Sequence, residues 1–333
     1  MANLKLTFAC QNYDRVRSLI EGRVPLEGID LNHLDLPPWF SFPRMVGDKE
    51  FEASELGITI YTATLGLKEP PFIAIPVFLS RTFRRSAIYV NANSGIQTPK
   101  DLIGKRVGEA FLYGHDGALW PRGILQDDYG VPPESCSYYI GGVDTPAAPW
   151  NWLPFGPPPT MRVEHVGADR SLDAMLEAGE IDALYSAITP PSILRGSPRV
   201  RRLFEDAEAE ERDYFKRTGV FPIMHLVVLR RDFYERNRWV ACALYNALRK
   251  AKDEVTDLYY NAFGGRIHLL LMIPLLTELV ERNRRMMGSD PWPYGLEANR
   301  KTLEAFLRYH HEQGLSPRRL RPEDLFAPET LVD

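Results

Sequence analysis

Three arginines in five residues, Arg81, Arg84 and Arg85, surround Phe83 in the turn after an apolar strand. Side chains in such a turn can reach a cleft at the carboxyl end of a sheet. A guanidinium offers paired planar donors that match both oxygens of a carboxylate, so the cluster suits an anion clamp. Surface arginines paired with nearby carboxylates are the competing reading. His225 lies in the apolar segment from Phe221 to Leu229; beside a cleft it could exchange a proton near neutral pH, and otherwise it is a satisfied core histidine. His115 and Asp116 form a second ionisable pair in a glycine-flanked loop, either functional or plain loop surface. Ser54 and Glu55 stand where a helix from Glu55 to Leu67 would begin, with Thr59 and Tyr61 inside it. They either cap that helix or, with its amides, hold an oxyanion while Glu55 handles a proton. Trp120 and Arg122 open a later helix, where Trp120 either stacks on a ring or fills the core. Asp182 reads as structural, and His310 and His311 as solvent-facing. Glu55, His115 and His225 have the residue types of a two-histidine, one-carboxylate metal site, but no HxH or HExxH spacing supports ligation, so no metal is expected. Nucleotide-binding glycine motifs and a distinctive Schiff-base lysine are absent as well, and no cofactor is expected.

Leu4, Leu6, Phe8 and Cys10 alternate with more polar residues at the period of a strand, and Val16, Leu19 and Ile20 mark a short helix ending at Gly22. A second strand is expected near Ile29 to Leu34, and a third from Phe72 to Phe78, placed at an edge or a bend by Pro76. Asn91 to Gln97 turns polar and glycine-containing, Thr98-Pro99-Lys100-Asp101 then carries an N-cap, a first-turn proline and an acidic third residue, and the chain is expected to cross between lobes there. Strand 105–109, helix 118–128, helix 171–179 and strand 181–185 follow. The proline- and tryptophan-rich stretch from Gly142 to Pro159 reads as a long irregular loop, a lid or an interface element. An apolar strand then returns the chain, and helices follow at 238–260, 274–287 and 296–310. Repeated alternation of strand and helix argues for a largely parallel sheet in each lobe.

The 333 residues, 44% of them apolar, suffice for a full core. With 40 basic and 44 acidic residues the formal charge is −4, which gives no general attraction to nucleic acid or to an anionic membrane. Cys10, Cys136 and Cys242 are odd in number and far apart, so neither a disulfide framework nor a zinc site is suggested and a cytoplasmic setting is expected. The N-terminus lacks the unbroken apolar stretch of a secretory signal, and the apolar run from Ile267 to Leu276 is too short to span a bilayer. Apolar residues at Leu269 to Leu276, Met286 and Met287 suggest a homo-oligomer.

Five segments resemble the 4,5-dihydroxyphthalate decarboxylases: SELGITIY (54–61), IPVFLSRTFRRSAIYVN (75–91), WPRGILQDDYGV (120–131), TGVFPIMHLVV (218–228) and PYGLEANRKTLEAF (293–306). The resemblance implies the α/β, two-lobed type II periplasmic-binding-protein fold, with helix-flanked, mostly parallel sheets and the ligand in the cleft between lobes. Lobe I is then expected at 1–92 plus 222–333 and lobe II at 93–221. It also implies cofactor-independent loss of CO₂ from a hydroxylated aromatic (di)carboxylic acid, with protonation of the ipso carbon. In that frame His225, Glu55 and His115 are the catalytic candidates. Arg81, Arg84, Arg85, Ser54, Phe83, Asp116 and Trp120 are the substrate-binding candidates. A non-catalytic sensor of aromatic acids on the same fold is the competing function.

Overall fold

Leu6, Phe8 and Cys10 of β1 (Leu4–Cys10) are buried while Lys5 is exposed, and α1 (Asp14–Ile20) turns Val16 and Leu19 inward. The computed structural model describes residues 3–148, 150, 152–261 and 271–331. In chain order these elements are followed by β2 (Ile29–Asp35), α2 (Pro38–Pro43), β3 (Ala53–Gly57), α3 (Ile58–Thr64) and β4 (Phe72–Arg81). Next come β5 (Ile88–Asn91), β6 (Arg106–Ala110), α4 (Asp116–Tyr129), β7 (Ser137–Gly141), β8 (Arg162–His165), α5 (Leu172–Ala178), β9 (Ala183–Tyr185), α6 (Pro191–Leu194), β10 (Val200–Arg202) and α7 (Ala207–Thr218). The chain ends through β11 (Ile223–Arg230), α8 (Arg231–Arg236), α9 (Trp239–Thr256), α10 (Leu276–Met287) and α11 (Arg300–Glu312).

Two sheets result, in the orders β2-β1-β3-β11-β4 and β10-β5-β9-β6-β7-β8. β1 runs parallel to β2 and β3, and β9, β6, β7 and β8 are mutually parallel. The strands that carry the chain from one sheet to the other, β5 and β11, run antiparallel to their neighbours. The first crossing occupies residues 82–87, so Ile88–Asn91, counted with lobe I on sequence, pairs in the second sheet. β4 is an edge strand and tolerates Pro76, whose carbonyl accepts the amide of Gly295.

Local signals end several elements. α5 starts at a Ser171 cap and stops at Gly179, and α4 stops at Gly130, both glycines at positive φ. Thr98 and Asp101 form the expected capping box, here over a single 3-10 turn. Among the described residues no helix is long and apolar enough to cross a membrane. Residues 267–270 of the apolar run, Leu269 and Leu270 among them, lie outside the described residues.

Candidate active site

The segments after β2, β3, β6, β7 and β9 converge with the start of β11 on a cavity of about 170 Å³ between the two sheets. An apolar cavity of about 150 Å³ accommodates benzene, so this is room for one substituted ring. Phe42, Ile60 and Ile188 give it apolar walls, and its polar groups are His115, Asp116 and His225. Beyond them the rings of Phe111, Trp150 and Trp152 stack in series at centroid separations of 4.2 and 4.1 Å. Phe111 holds the left-handed conformation at φ 64°, a strained setting for a bulky residue that turns the chain across the end of β6. The tryptophans belong to the long loop, which reaches the first lobe where Gly66 leaves room for Phe155 and Gly314 for Pro158.

His225 is placed by β11, where it pairs with Gly57 of β3 and Ser80 of β4. Its Nδ1 lies 2.7 Å from Oε1 of Glu55, a fully buried carboxylate on β3, and the ring of Phe42 meets the imidazole edge-on at 5.1 Å. The same Oε1 accepts the hydroxyl of Tyr13 at 2.8 Å. A carboxylate fixed this way sets the tautomer and orientation of the imidazole. Tyr13 was not singled out from sequence; it sits in the turn before α1, 42 residues from its partner. Burial and the adjacent Glu55 push its phenol far above the ordinary range, so it remains a donor. Tyr13→Phe should destabilise the fold by about 1.5–3 kcal/mol, because a buried carboxylate loses a hydroxyl donor. Urea denaturation checks this, and an unchanged midpoint would contradict it.

Asp116 comes from the opposite lobe. Its Oδ1 accepts the amide and the hydroxyl of Thr59 at 2.8 and 2.6 Å, so a second-lobe carboxylate caps the start of α3. Gly57 makes the approach possible, since a Cβ there would stand 2.7 Å from Oδ2. Burial raises the Asp116 pKa, against the pull of His225, Thr59 and Arg84. His115 is the N-cap of α4, with Nδ1 accepting the amide of Gly117 at 3.1 Å.

Several expected site residues lie elsewhere. Ser54 and Glu55 belong to β3 and do not open a helix; Ser54 donates to the carbonyls of Ala9 and Glu55, and Gly57 takes the cap position. Glu55 acts on the imidazole, and it is Asp116 that occupies the α3 amide. Arg81 is held by Asn299 and the carbonyl of Phe221, and Arg85 is paired with Asp128 and stacked over Tyr214. Phe83 stacks on Phe221 at 4.6 Å, outside the cavity. Trp120 is fully buried between lobes, donating to the carbonyl of Ile223 and packing on Tyr309. Tyr61 is tied to Leu325 and Ala74, and Asp182 pairs with Arg106 at 2.9 Å. His310, expected in solvent, is fully buried against the carbonyl of Thr59, and burial lowers its pKa to about 3. His311, on the same helix, is half-buried, with Nδ1 3.1 Å from the carbonyl of Ser316.

Arg84 differs from its two neighbours. It is buried with the thioether of Met224 3.1 Å from Nε, and makes no salt bridge to a carboxylate among the described residues. Asp116 and Glu211 are the charges that oppose the depression of its pKa by burial. A thioether is a weak acceptor, so this cation retains unspent capacity for an anion. No group of three or more His, Cys, Asp or Glu among the described residues could hold a metal ion.

No family model matches the chain. Among solved structures it is similar to the periplasmic sulfonate-binding protein SsuA of Methylobacillus flagellatus, with TM-score 0.56 and 16% identity over 99% of this chain and 94% of that one. A Candida albicans protein described as having the generic periplasmic-binding-protein fold aligns with TM-score 0.52 and 9% identity over 100% and 96%. These neighbours and the two helix-flanked sheets make the fold the two-lobed one of periplasmic binding proteins. In sequence the chain is 33% identical over 99% of its length, and 98% of the relative's, to a 4,5-dihydroxyphthalate decarboxylase of Comamonas testosteroni. It is 30% identical to one of Pseudomonas putida over 65% of this chain and 83% of that one. With that similarity running nearly end to end on both chains, this protein belongs to the 4,5-dihydroxyphthalate decarboxylase family.

Proposed function

We propose that the chain removes CO₂ from a hydroxylated aromatic dicarboxylate, 4,5-dihydroxyphthalate giving 3,4-dihydroxybenzoate, without an organic cofactor or metal. The observation that carries this is His225, fixed through Nδ1 by Glu55 at 2.7 Å and bordering a ring-sized aromatic cavity. Each carboxylate of this substrate has a hydroxyl para to it. That oxygen supplies electrons as His225 transfers a proton to the ipso carbon, and a cyclohexadienone forms once the hydroxyl proton leaves. Asp116 borders the cavity as the carboxylate suited to accept that proton. The ring–carboxylate bond then breaks, its electron pair restores the aromatic ring, the oxygen is reprotonated, and CO₂ departs. Arg84, a buried cation with no salt bridge among the described residues, supplies positive potential for an anionic substrate.

Purified protein incubated with hydroxylated phthalates and benzoates should release CO₂ from 4,5-dihydroxyphthalate, and exhaustive chelation should leave the rate unchanged. An acid that binds and is returned intact would instead favour a sensor, and activity lost to chelator and restored by one metal would overturn the metal-free chemistry. Three free thiols fit a reducing cytoplasm. The exposed Met272, Ile273, Leu275 and Leu279, with half-buried Met286 and Met287 on α10, support assembly of identical chains through that face.

A further inference from the structure

The cavity contains two imidazoles whose ring nitrogens are committed in opposite ways. His225 turns Nδ1 to a carboxylate, which makes that nitrogen a donor and leaves Nε2 to exchange a proton. His115 turns Nδ1 to a backbone amide, the N–H of Gly117, at 3.1 Å. A nitrogen that accepts carries no hydrogen, so the neutral ring must hold its proton on Nε2. That Nε2 is shielded from solvent and has no partner among the described residues, although the ring lines the cavity.

A second proton would have to enter at Nδ1, facing the Gly117 amide, and would break the cap of α4. It would also place a cation at the positive end of the α4 dipole. The groups facing the ring oppose it too: Arg84 from the crossing, Arg122 from α4 and His225 from β11, with Asp116 the adjoining carboxylate. Burial and these cations hold the His115 pKa down at about 3.

We propose that His115 is a permanently neutral Nε2–H donor that holds an anionic oxygen of the bound ring, phenolate or carboxylate, and transfers no proton itself. The ligand assignment rests on the proposed decarboxylase reading; the tautomer is a property of the free protein. A neutral imidazole is too weak an acid to surrender its proton, so this hydrogen bond would persist while charge moves through the substrate. One histidine then moves a proton and the other grips an oxygen.

Long-range ¹H–¹⁵N spectra of histidine-labelled protein test the tautomer, with His115→Gln assigning the signal by its disappearance. The expected result is Nε2–H with bare Nδ1, unchanged across about pH 5 to 8, where ordinary histidines titrate. A His115 signal that titrates in that window, or carries hydrogen on Nδ1, overturns the proposal. Calorimetric binding of benzoate, catechol and 3,4-dihydroxybenzoate to His115→Phe and to the wild type tests the ligand. Loss of roughly tenfold or more for catechol but not benzoate assigns a phenolic oxygen, and the reverse assigns the carboxylate. In both cases 3,4-dihydroxybenzoate should also weaken, and His115→Gln, which keeps an N–H donor, should bind closer to wild type. Unchanged affinity for all three in His115→Phe, or no binding of any to the wild type, overturns the ligand assignment. A protein that binds as described yet releases no CO₂ would defeat the decarboxylase reading and leave the tautomer standing.

Discussion

Replacing His225 by glutamine is expected to lower kcat for decarboxylation by about 10²- to 10⁴-fold, the usual contribution of a positioned general acid or base. Glutamine keeps an amide that can donate to Glu55, whose Oε1 retains the hydroxyl of Tyr13, so the buried carboxylate is not stranded. The side chain of His225 is partly open to the cavity, 19% exposed, and its loss should move the melting temperature little. Glu55→Gln is the companion variant. It preserves shape but removes the anionic acceptor that orients the imidazole, so it should slow turnover by a smaller factor with KM nearly constant. Steady-state CO₂ release on preparations matched by thermal unfolding decides the matter. Near-normal turnover in His225→Gln would move the proton donor elsewhere, with Asp116 the remaining ionisable group on the cavity wall that the structure has not committed to a neutral form.

The fold was legible where the signals are local. Strand alternation in β1, the Thr98 cap and the helix from Ser171 to Gly179 each rest on signals within a few residues of themselves. The resemblance added the two-lobed plan, and the site was legible only in part. His225, His115 and Asp116 do meet in one cavity, but Arg81, Arg84 and Arg85 look alike in sequence and separate only through distant partners. Asn299, Met224 and Asp128, which set their fates, lie 218, 140 and 43 residues away. Ser54 and Glu55 read as a helix start because the strand character of that segment is imposed by pairing with β11, Val227 opposite Glu55. Tyr13 gave no signal at all, since a lone tyrosine in a turn acquires its role only when β3 brings Glu55 beside it. His310 is different, because Leu303, Phe306, Leu307 and His310 follow the buried face of a helix at spacings of three and four. That periodicity carried the signal, and the doubled His310-His311 at a polar helix end obscured it.

Arg122→Met should be the most destabilising of these substitutions, by about 3–5 kcal/mol, and its cost should grow with pH. Arg122 and Glu109 are both sealed in the second lobe, with Nη1 3.3 Å from Oε1 and the guanidinium 4.3 Å over the ring of Tyr113. Burial raises the Glu109 carboxyl to about 7, even against the pull of Arg122. With the arginine gone, that pull disappears and the folded-state pKa climbs further. A carboxyl whose folded pKa exceeds its unfolded value binds a proton preferentially in the native state. Its contribution is therefore fully present below the unfolded pKa, near 4.5, and is lost as pH rises through the folded one. The wild type should lose this contribution between about pH 4.5 and 7, and the variant should go on losing stability at higher pH. The deficit of Arg122→Met relative to wild type is thus smallest near pH 5 and largest in mild alkali. Adding Glu109→Gln removes the charge left behind, so the double variant should recover much of the loss at alkaline pH and little at acid pH. Urea unfolding of the two variants and the wild type at about pH 5, 7 and 8.5 reads all of this. A pH-independent deficit that Glu109→Gln fails to relieve would show that Arg122 serves by packing on Tyr113 and Tyr138, with its charge incidental.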